Sequence, residues 1–121
     1  MRMTAFSSNP PVPMPIPPEH VKRFIQEHIA EIQGPRDVAE GMRYAYDTLR
    51  KDFKRQEGIT LGVYLTQVRV ERAKQLLIET EMRSSEIAYA VGFSREEVAA
   101  RAFKKETGLS MQAYRKHHDA A

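Results

Sequence analysis

The chain of 121 residues is 41% hydrophobic and carries 19 lysines and arginines against 16 acidic residues, a formal net charge of +3. This length allows one modest domain or two very small ones that share a helix, and the small positive charge is compatible with nucleic acid without establishing it. The chain contains no cysteine, which excludes disulfides, thiolate metal sites and a cysteine nucleophile.

Residues 1–18 hold all but one of the 7 prolines. Such density blocks helix and sheet alike, so we predict a disordered proline-rich tail over 1–18. A polyproline II linker to another domain and a ligand for a proline-binding partner are the alternatives. Elsewhere the sequence has no long apolar run and no hydrophobic signal segment, so we expect a cytoplasmic protein without a membrane partner.

Three helices are predicted between residues 18 and 57. Pro18 suits the first position of a helix, whose apolar stripe is Val21, Phe24, Ile25, Ile29 and Ile32. His20 and His28 lie on its polar side without further ligands, which argues against a metal site. A second helix over 36–42 turns Val38, Ala39 and Met42 inward. The third, over 46–57, buries Leu49 and Phe53 and directs its charged residues outward: Asp47, Arg50, Lys51, Lys54 and Arg55.

A long helix over 61–79, capped by Thr60, is predicted to follow and to contact the chain on both sides of it through Leu65, Val68, Ala73, Leu76 and Leu77. At 1.5 Å per residue its length is roughly 27 Å. The helix therefore has the length of a spacer between the units on either side of it.

The stretch from Ser84 to Arg115 predicts a helix-turn-helix followed by a last helix. Ser84 is expected to cap a short helix that ends at Gly92, and Ser94 with Glu97 matches a capping box that opens the next helix. Val98, Ala102 and Phe103 form the predicted inner stripe of that helix, and Arg101, Lys104 and Lys105 point outward. Gly108 ends it, and Ser110 caps a final helix through Met111 and Tyr114 to His118. In the terminal KHHDAA, an adjacent histidine pair cannot close a tetrahedral metal site alone.

The same pattern occurs twice. Phe53, Gly58 and Tyr64 superpose on Phe103, Gly108 and Tyr114, and the helices before them superpose once a single-residue slip in the turn is allowed. Because an equivalent tyrosine recurs with the same apolar neighbours, we interpret Tyr64 and Tyr114 as core residues. The chain therefore carries two copies of one unit.

The segments IAYAVGFS, RAFKKETGLS and AYR, preceded by YLTQVRVERAKQLL over 64–77, resemble the DNA-binding domain of the AraC/XylS transcription regulators. The resemblance covers roughly residues 21–116. It implies an all-α fold of about seven helices, in which helix-turn-helix subdomains at 19–59 and 80–118 are joined by a linker helix at 60–79. It also implies that two successive major-groove segments are read on one face of the DNA.

By this resemblance, the third helix directs Tyr46, Asp47, Arg50 and Lys51 toward the groove, with Lys54 one turn further on. Arg50 is the best base reader, because a guanidinium can bridge guanine O6 and N7. Lys51 suits a phosphate or a guanine edge. The expected DNA contacts of the second recognition helix, predicted over 94–107, are Arg95, Glu96, Arg101 and Lys105. Glu96 can accept from cytosine N4, although an acid near phosphates lowers nonspecific affinity.

Several positions depart from the family pattern. Most members have glycine at the position of Arg43 and a capping Ser or Thr at that of Ala45, and the two replacements cost about 1 kcal/mol each. The first turn is then either looser or differently shaped. Ala99 replaces a large residue, which predicts thinner packing. Arg69 and Arg72 are expected on the polar side of the long helix, with Arg69 mainly structural, pairing with the subdomain that it crosses.

The function implied is sequence-specific binding of double-stranded DNA and regulation of transcription on the nucleoid, with contact to RNA polymerase. Two motifs in one chain need no dimer, so we expect a monomer on DNA, without a cofactor or enzymatic activity. The chain has no room for a separate sensing domain, so it is either a standalone regulator or the C-terminal piece of a longer protein. The rival hypothesis is a protein-interaction module derived from this fold, favoured by the irregular first turn and the acidic start of the second recognition helix. A nonspecific nucleoid-coating protein is disfavoured by the small net charge.

Overall fold

A computed structural model describes residues 15–119, and this part of the chain contains seven α-helices and no strand. The helices are α1 (Pro18–His28), α2 (Pro35–Met42), α3 (Tyr46–Glu57), α4 (Leu61–Glu79), α5 (Ser84–Ala90), α6 (Glu96–Thr107) and α7 (Met111–Asp119). The prediction of an all-α fold of about seven helices is confirmed. None of the described helices is long and apolar enough to cross a bilayer.

Two hydrophobic clusters form around the two ends of α4. The first gathers α1–α3 on the N-terminal half of α4 through Leu61 and Leu65. The second gathers α5–α7 on the C-terminal half through Val70, Ala73 and Leu77. We call α1–α3 the first subdomain and α5–α7 the second. Because α4 contributes buried residues to both clusters, it joins the two subdomains as the sequence predicted.

Corresponding residues end the corresponding helices of the two subdomains. Gly58 and Gly108 close α3 and α6 in the left-handed conformation, with φ of 80° and 82°. Thr60 Oγ1 accepts from Val63 N–H (3.1 Å) and Ser110 Oγ accepts from Ala113 N–H (3.1 Å), which confirms both predicted caps.

The repeated aromatic residues pack alike. Tyr64 lies against Phe53 with ring centroids 5.6 Å apart, and Tyr114 lies edge-on to Phe103 at 5.4 Å. Both tyrosines are half-buried and pack against the clusters, as expected of core residues.

Of the predicted tail 1–18, residues 15–17 lie just before α1 and Pro18 begins that helix. Ile16 is buried in the first cluster at 6% exposure. Its N–H donates to Asp52 Oδ2 (3.2 Å), and its carbonyl accepts from Gln56 Nε2 (2.9 Å), so α3 holds it on both sides. This differs from the expectation of disorder for these three positions, and the rest of that tail, residues 1–14, lies outside the described part of the chain.

Arg69 does not lie on a polar side of α4, because its side chain is only 9% exposed. The middle of α4 is covered from both subdomains, and the guanidinium donates from Nη2 to the Ile32 carbonyl (2.6 Å). The predicted position was therefore wrong, whereas the predicted pairing with the subdomain that it crosses agrees with this contact. Arg72 is exposed as predicted, and its Nη2 donates to the Gln26 carbonyl (3.2 Å).

Candidate nucleic-acid interface

The turns between the paired helices have the same backbone shape. Arg43 adopts the left-handed conformation (φ 63°) that Gly92 adopts in the second copy (φ 103°). The N–H of Tyr44 donates to the Ala39 carbonyl (2.9 Å), and the N–H of Phe93 donates in the same way to the Ala88 carbonyl (3.0 Å). The start of the connection therefore has the same shape in both copies, against the alternative of a differently shaped first turn, although the whole connection spans 43–45 in the first copy and 91–95 in the second.

One extra residue separates the second turn from its recognition helix. Positions 43 and 92 differ by 49, whereas α3 begins at 46 and α6 at 96, a difference of 50. The predicted single-residue slip is thus confirmed and lies at Ser94 and Arg95.

The extra residue displaces Ser94 from the capping position. The residue before α6 is Arg95, which makes no side-chain cap bond, and α6 starts at Glu96 rather than Ser94. The predicted capping box of Ser94 and Glu97 is therefore wrong. The predicted cap Ser84 is likewise the first residue of α5, where the N–H of Arg83 donates to Glu86 Oε1 (2.8 Å).

The buried stripe of α6 contains Phe103 and the half-buried Ala102 as predicted, but Ala99 takes the place predicted for Val98. Ala99 and Phe103, one turn apart, are fully buried, whereas Val98 is 38% exposed. Outward Arg101, Lys104 and Lys105 are exposed as predicted.

The charged candidates on α3 share one exposed face. Asp47, Arg50, Lys51 and Lys54 follow the spacing i, i+3, i+4 and i+7, and all four side chains are exposed. Tyr46 differs from them, because it is half-buried against the first cluster and its ring lies 4.5 Å from the Arg36 guanidinium. Four of the five candidates on α3 therefore have exposed side chains, and Tyr46 is half-buried.

Three side chains of this face, those of Asp47, Arg50 and Lys54, already have partners. Arg50 Nη2 donates to Asp47 Oδ1 at 3.3 Å, in a pair whose side chains are 45% and 76% exposed. Lys54 Nζ donates to the Gly58 carbonyl (3.3 Å) at the end of α3. Exposed pairs of this kind are worth about 0 to 1 kcal/mol, so they orient the cations without holding them away from a phosphate or a base.

The four candidates of the second unit are all exposed. Arg95 precedes α6, Glu96 begins it, and Arg101 and Lys105 follow one turn apart. Arg95 Nε lies 3.9 Å from Glu97 Oε1, so the start of α6 mixes both signs of charge. Glu96 and Glu97 both lie in the first turn of α6, where the positive end of the helix dipole favours a negative charge.

The exposed faces of α3 and α6 do not carry equivalent candidates for base reading. With the offset of 50, Arg50 corresponds to Ala100, and Arg101 corresponds to Lys51. Lys54 corresponds to Lys104, an exposed lysine that was not among the predicted contacts although the repeat pointed to it. The two units therefore present different side chains from the same backbone frame, as expected of surfaces that contact different sequences.

Within residues 15–119, no group of three or more histidine, aspartate or glutamate side chains is placed to hold a metal ion. His28 instead packs on Phe24 with ring centroids 4.5 Å apart, and its Nδ1 lies 3.2 Å from Glu31 Oε1. The described side chains that converge on the exposed faces of α3 and α6 are cations and carboxylates suited to contact with a charged polymer.

Comparison with known proteins identifies the unit. A family model described as a helix-turn-helix domain matches residues 38–117. AdaA of Bacillus subtilis, described as a bifunctional transcriptional activator and DNA repair enzyme, is 32% identical over 98 residues, which are 78% of this chain and 45% of AdaA. The chain spans less than half the length of such curated relatives, with shares of 45%, 37% and 34%.

Solved structures have the same fold. The C-terminal domain of AraT, a response regulator from Geobacillus stearothermophilus, is 32% identical, with a TM-score of 0.75 over 82% of this chain and 83% of that one. The DNA-binding domain of AdpA, solved with a target DNA, is 24% identical, with a TM-score of 0.78 over 84% of this chain and 92% of that one, a likeness in fold. From the helix-turn-helix match and these likenesses, the chain belongs to the AraC/XylS family of DNA-binding transcription regulators.

Proposed function

We propose that this chain binds double-stranded DNA in a sequence-specific manner, with α3 and α6 in two successive major-groove segments, and regulates transcription. The observation that carries the proposal is the pair of turns with the same shape, each followed by an exposed charged helix face. The connecting helix has 19 residues. Its length is roughly 28 Å, near the rise of one DNA turn.

On α3, we assign base reading to Arg50. Its pairing with Asp47 leaves guanidinium donors free for guanine O6 and N7, so the carboxylate fixes the direction in which the fork points. Lys51 and Lys54 contact phosphates on either side of the groove, since an ammonium is a point charge without a planar donor pattern. Tyr46 is half-buried, so only part of its side chain contributes to this face.

On α6, we assign a base or phosphate contact to the exposed Arg101 and a phosphate contact to the exposed Lys105 one turn later. Arg95 lies just before the helix and suits a phosphate. Glu96 accepts from cytosine N4, which makes this motif selective and its nonspecific affinity low. Lys104 joins the set by its correspondence to Lys54.

The test is selection of bound duplexes from a random library, followed by titrations over a range of salt concentrations with wild type, Arg50→Ala and Arg101→Ala. We expect two half-sites about 10 bp apart. Each substitution should relax the preference in one half and cost about 1 to 3 kcal/mol if the arginine reads a base. Arg23→Ala is the matched control, because it removes an exposed cation from α1, outside both faces, and should leave the preference of both halves unchanged.

A protein-interaction module is the second candidate, and the exposed acids Glu96 and Glu97 at the start of α6 favour it. If no duplex is enriched and binding is the same for all sequences, this reading replaces DNA recognition. Under the first reading, we further propose action on the nucleoid in the cytoplasm, binding to DNA as a monomer and contact with RNA polymerase. The boundaries proposed for the units are 19–59, 60–79 and 80–118.

A further inference from the structure

The two subdomains touch each other directly, beside their shared helix. The turn that leads into α6 lies on the chain that leaves α1, so closely that a Cβ built at Gly92 would lie 2.4 Å from the Ile29 carbonyl oxygen. The same Cβ would lie 3.1 Å from Arg69 Nε. We call the segment 29–32, Arg69, Gly92 and Phe93 the subdomain contact.

Arg69 bonds to one side of this contact and packs on the other. Its Nη2 donates to the Ile32 carbonyl (2.6 Å) of the first subdomain, while its Cζ lies 5.5 Å from the ring centroid of Phe93, three residues beyond α5. The Ile32 carbonyl lies in the segment that follows α1, four residues beyond its end at His28. One buried side chain of α4 thus contacts both subdomains.

Stability alone is a poor reason for this arrangement. Burial lowers the pKa of the Arg69 guanidinium, no carboxylate of residues 15–119 pairs with it, and its buried Nε has no hydrogen-bond partner there. A buried charge without a counter-ion is costly, and a well-packed apolar residue serves stability at least as well. The guanidinium adds a directed hydrogen bond from α4 to the first subdomain.

The first turn provides an internal control for Gly92. Arg43 is also left-handed in the equivalent turn, at φ 63° against 103° for Gly92, and its side chain lies in solvent. The first turn therefore accommodates a side chain, whereas the demand for glycine at 92 comes from its wider φ and from the Ile29 carbonyl beside it. This close approach is made by the second turn, the one that leads into α6.

We infer that Arg69 is a positioning residue that, with Gly92, fixes the distance and angle between α3 and α6 and so sets the spacing between half-sites that the protein accepts. This inference rests on the proposed reading of two DNA segments. A rigid connection raises the effective concentration of the second motif once the first has bound, but only for DNA that presents both half-sites at the matching separation. Loosening the subdomain contact should weaken that selection and leave each motif intact.

Binding of wild type and Arg69→Met should be compared on three duplexes: the selected site, the site with two base pairs inserted between its halves, and the site with one half scrambled. For wild type, we expect the insertion to reduce affinity at least about tenfold. For Arg69→Met, affinity for the intact site should fall about tenfold, the penalty of the insertion should shrink to about twofold, and binding to the half-site should be unchanged. Arg72→Met, one turn along α4 and bonded only to the first subdomain, should keep the wild-type spacing preference.

A second measurement follows the subdomain contact without DNA. The chain has no cysteine, so Arg23→Cys on α1 and Gln112→Cys on α7 provide two exposed spin-label positions. The label distance distribution should be narrow in the wild-type background and broaden with Arg69→Met. If that variant fails to fold by circular dichroism, Arg69→Lys keeps the charge and the stem, loses the planar donors and should show the same changes to a smaller degree.

The results separate the inference from the function on which it rests. A wild type that prefers one spacing, together with an Arg69→Met protein that keeps both that preference and the narrow distribution, overturns the inference alone. A wild type that selects no bipartite site overturns the proposed function and the inference with it.

Discussion

Replacing Ile16 tests whether the end of the proline-rich segment belongs to the folded core. Its side chain is 6% exposed in the first cluster, and Ile→Ala removes three buried carbon atoms. Such truncations cost about 2 to 5 kcal/mol, and a position at the edge of a cluster belongs to the lower part of that range, about 2 to 3 kcal/mol. For a domain of about 100 residues this corresponds to a fall in Tm of roughly 8 °C or more.

The free energy of unfolding should be measured by urea denaturation with far-UV circular dichroism, with the midpoint and the slope fitted together. Ile78→Ala is the matched control, since the same atoms are removed from α4 at a side chain that is 50% exposed, and a change within about 0.5 kcal/mol is expected. Equal effects of the two substitutions would refute the reasoning, because Ile16 would then contribute no buried surface to the first subdomain.

The hydrogen bonds of Ile16 to α3 can be weakened separately. Asp52 accepts from both Ile16 N–H and Arg55 Nη2. Asp52→Asn keeps the shape of this side chain and removes its negative charge. Asp52→Gly is unsuitable because it would also lower the helix propensity of α3. Loss of a charged acceptor reduces such bonds by about 1 kcal/mol. If Asp52→Asn destabilises the wild type but has no effect in the Ile16→Ala background, the two groups act as one unit.

The helix caps provide the remaining predictions. Ala45→Ser should stabilise the protein by about 1 kcal/mol, because Ala45 precedes α3 with extended backbone and no side-chain cap bond; destabilisation in urea melts would contradict this. Thr60→Ala should cost about 1 kcal/mol by removing a bond that the structure contains. Ser94→Ala should change stability by less than about 0.5 kcal/mol, and a loss equal to that of Thr60→Ala would mean that Ser94 caps α6 after all.

The elements that were predictable from sequence are those fixed by local preferences. The closing glycines 58 and 108 are the residues that most easily adopt a left-handed conformation, and both end helices as predicted. The apolar stripe of α1 was likewise visible, although the helix ends at His28 and Ile29 and Ile32 are buried in the turns that follow. Exposed charged faces of α3 and α6 follow directly from where the apolar residues lie.

The features that sequence missed depend on partners far along the chain. Ile16 and Asp52 are 36 positions apart, and Arg69 and Ile32 are 37 apart, so no local pattern joins them. The density of prolines predicts that a segment forms neither helix nor strand. It does not predict whether an isoleucine between two prolines packs into the first cluster. Similarly, the spacing of apolar residues along α4 places Arg69 on the polar side of the helix. Arg69 is buried because both subdomains cover that part of α4.

The start of α6 was mispredicted for a related reason. Ser94 and Glu97 have the spacing of a capping box, but that motif also requires the serine to stand directly before the first helical turn. The extra residue in the second copy separates turn from helix, so Arg95 takes that place. A local motif therefore fails where a neighbouring element decides how many residues the turn contains.

The paired turns show which part of a helix-turn-helix sets its shape. Arg43 and Ala45 replace the residues best suited to the turn, at about 1 kcal/mol each, yet the hydrogen bonds match those around Gly92. Val38 and Leu49 on either side are fully buried, so packing of the two helices determines the angle and the turn conforms to it. Turn chemistry at 43 and 45 then adjusts stability, whereas a side chain at 92 would meet the Ile29 carbonyl of the other subdomain.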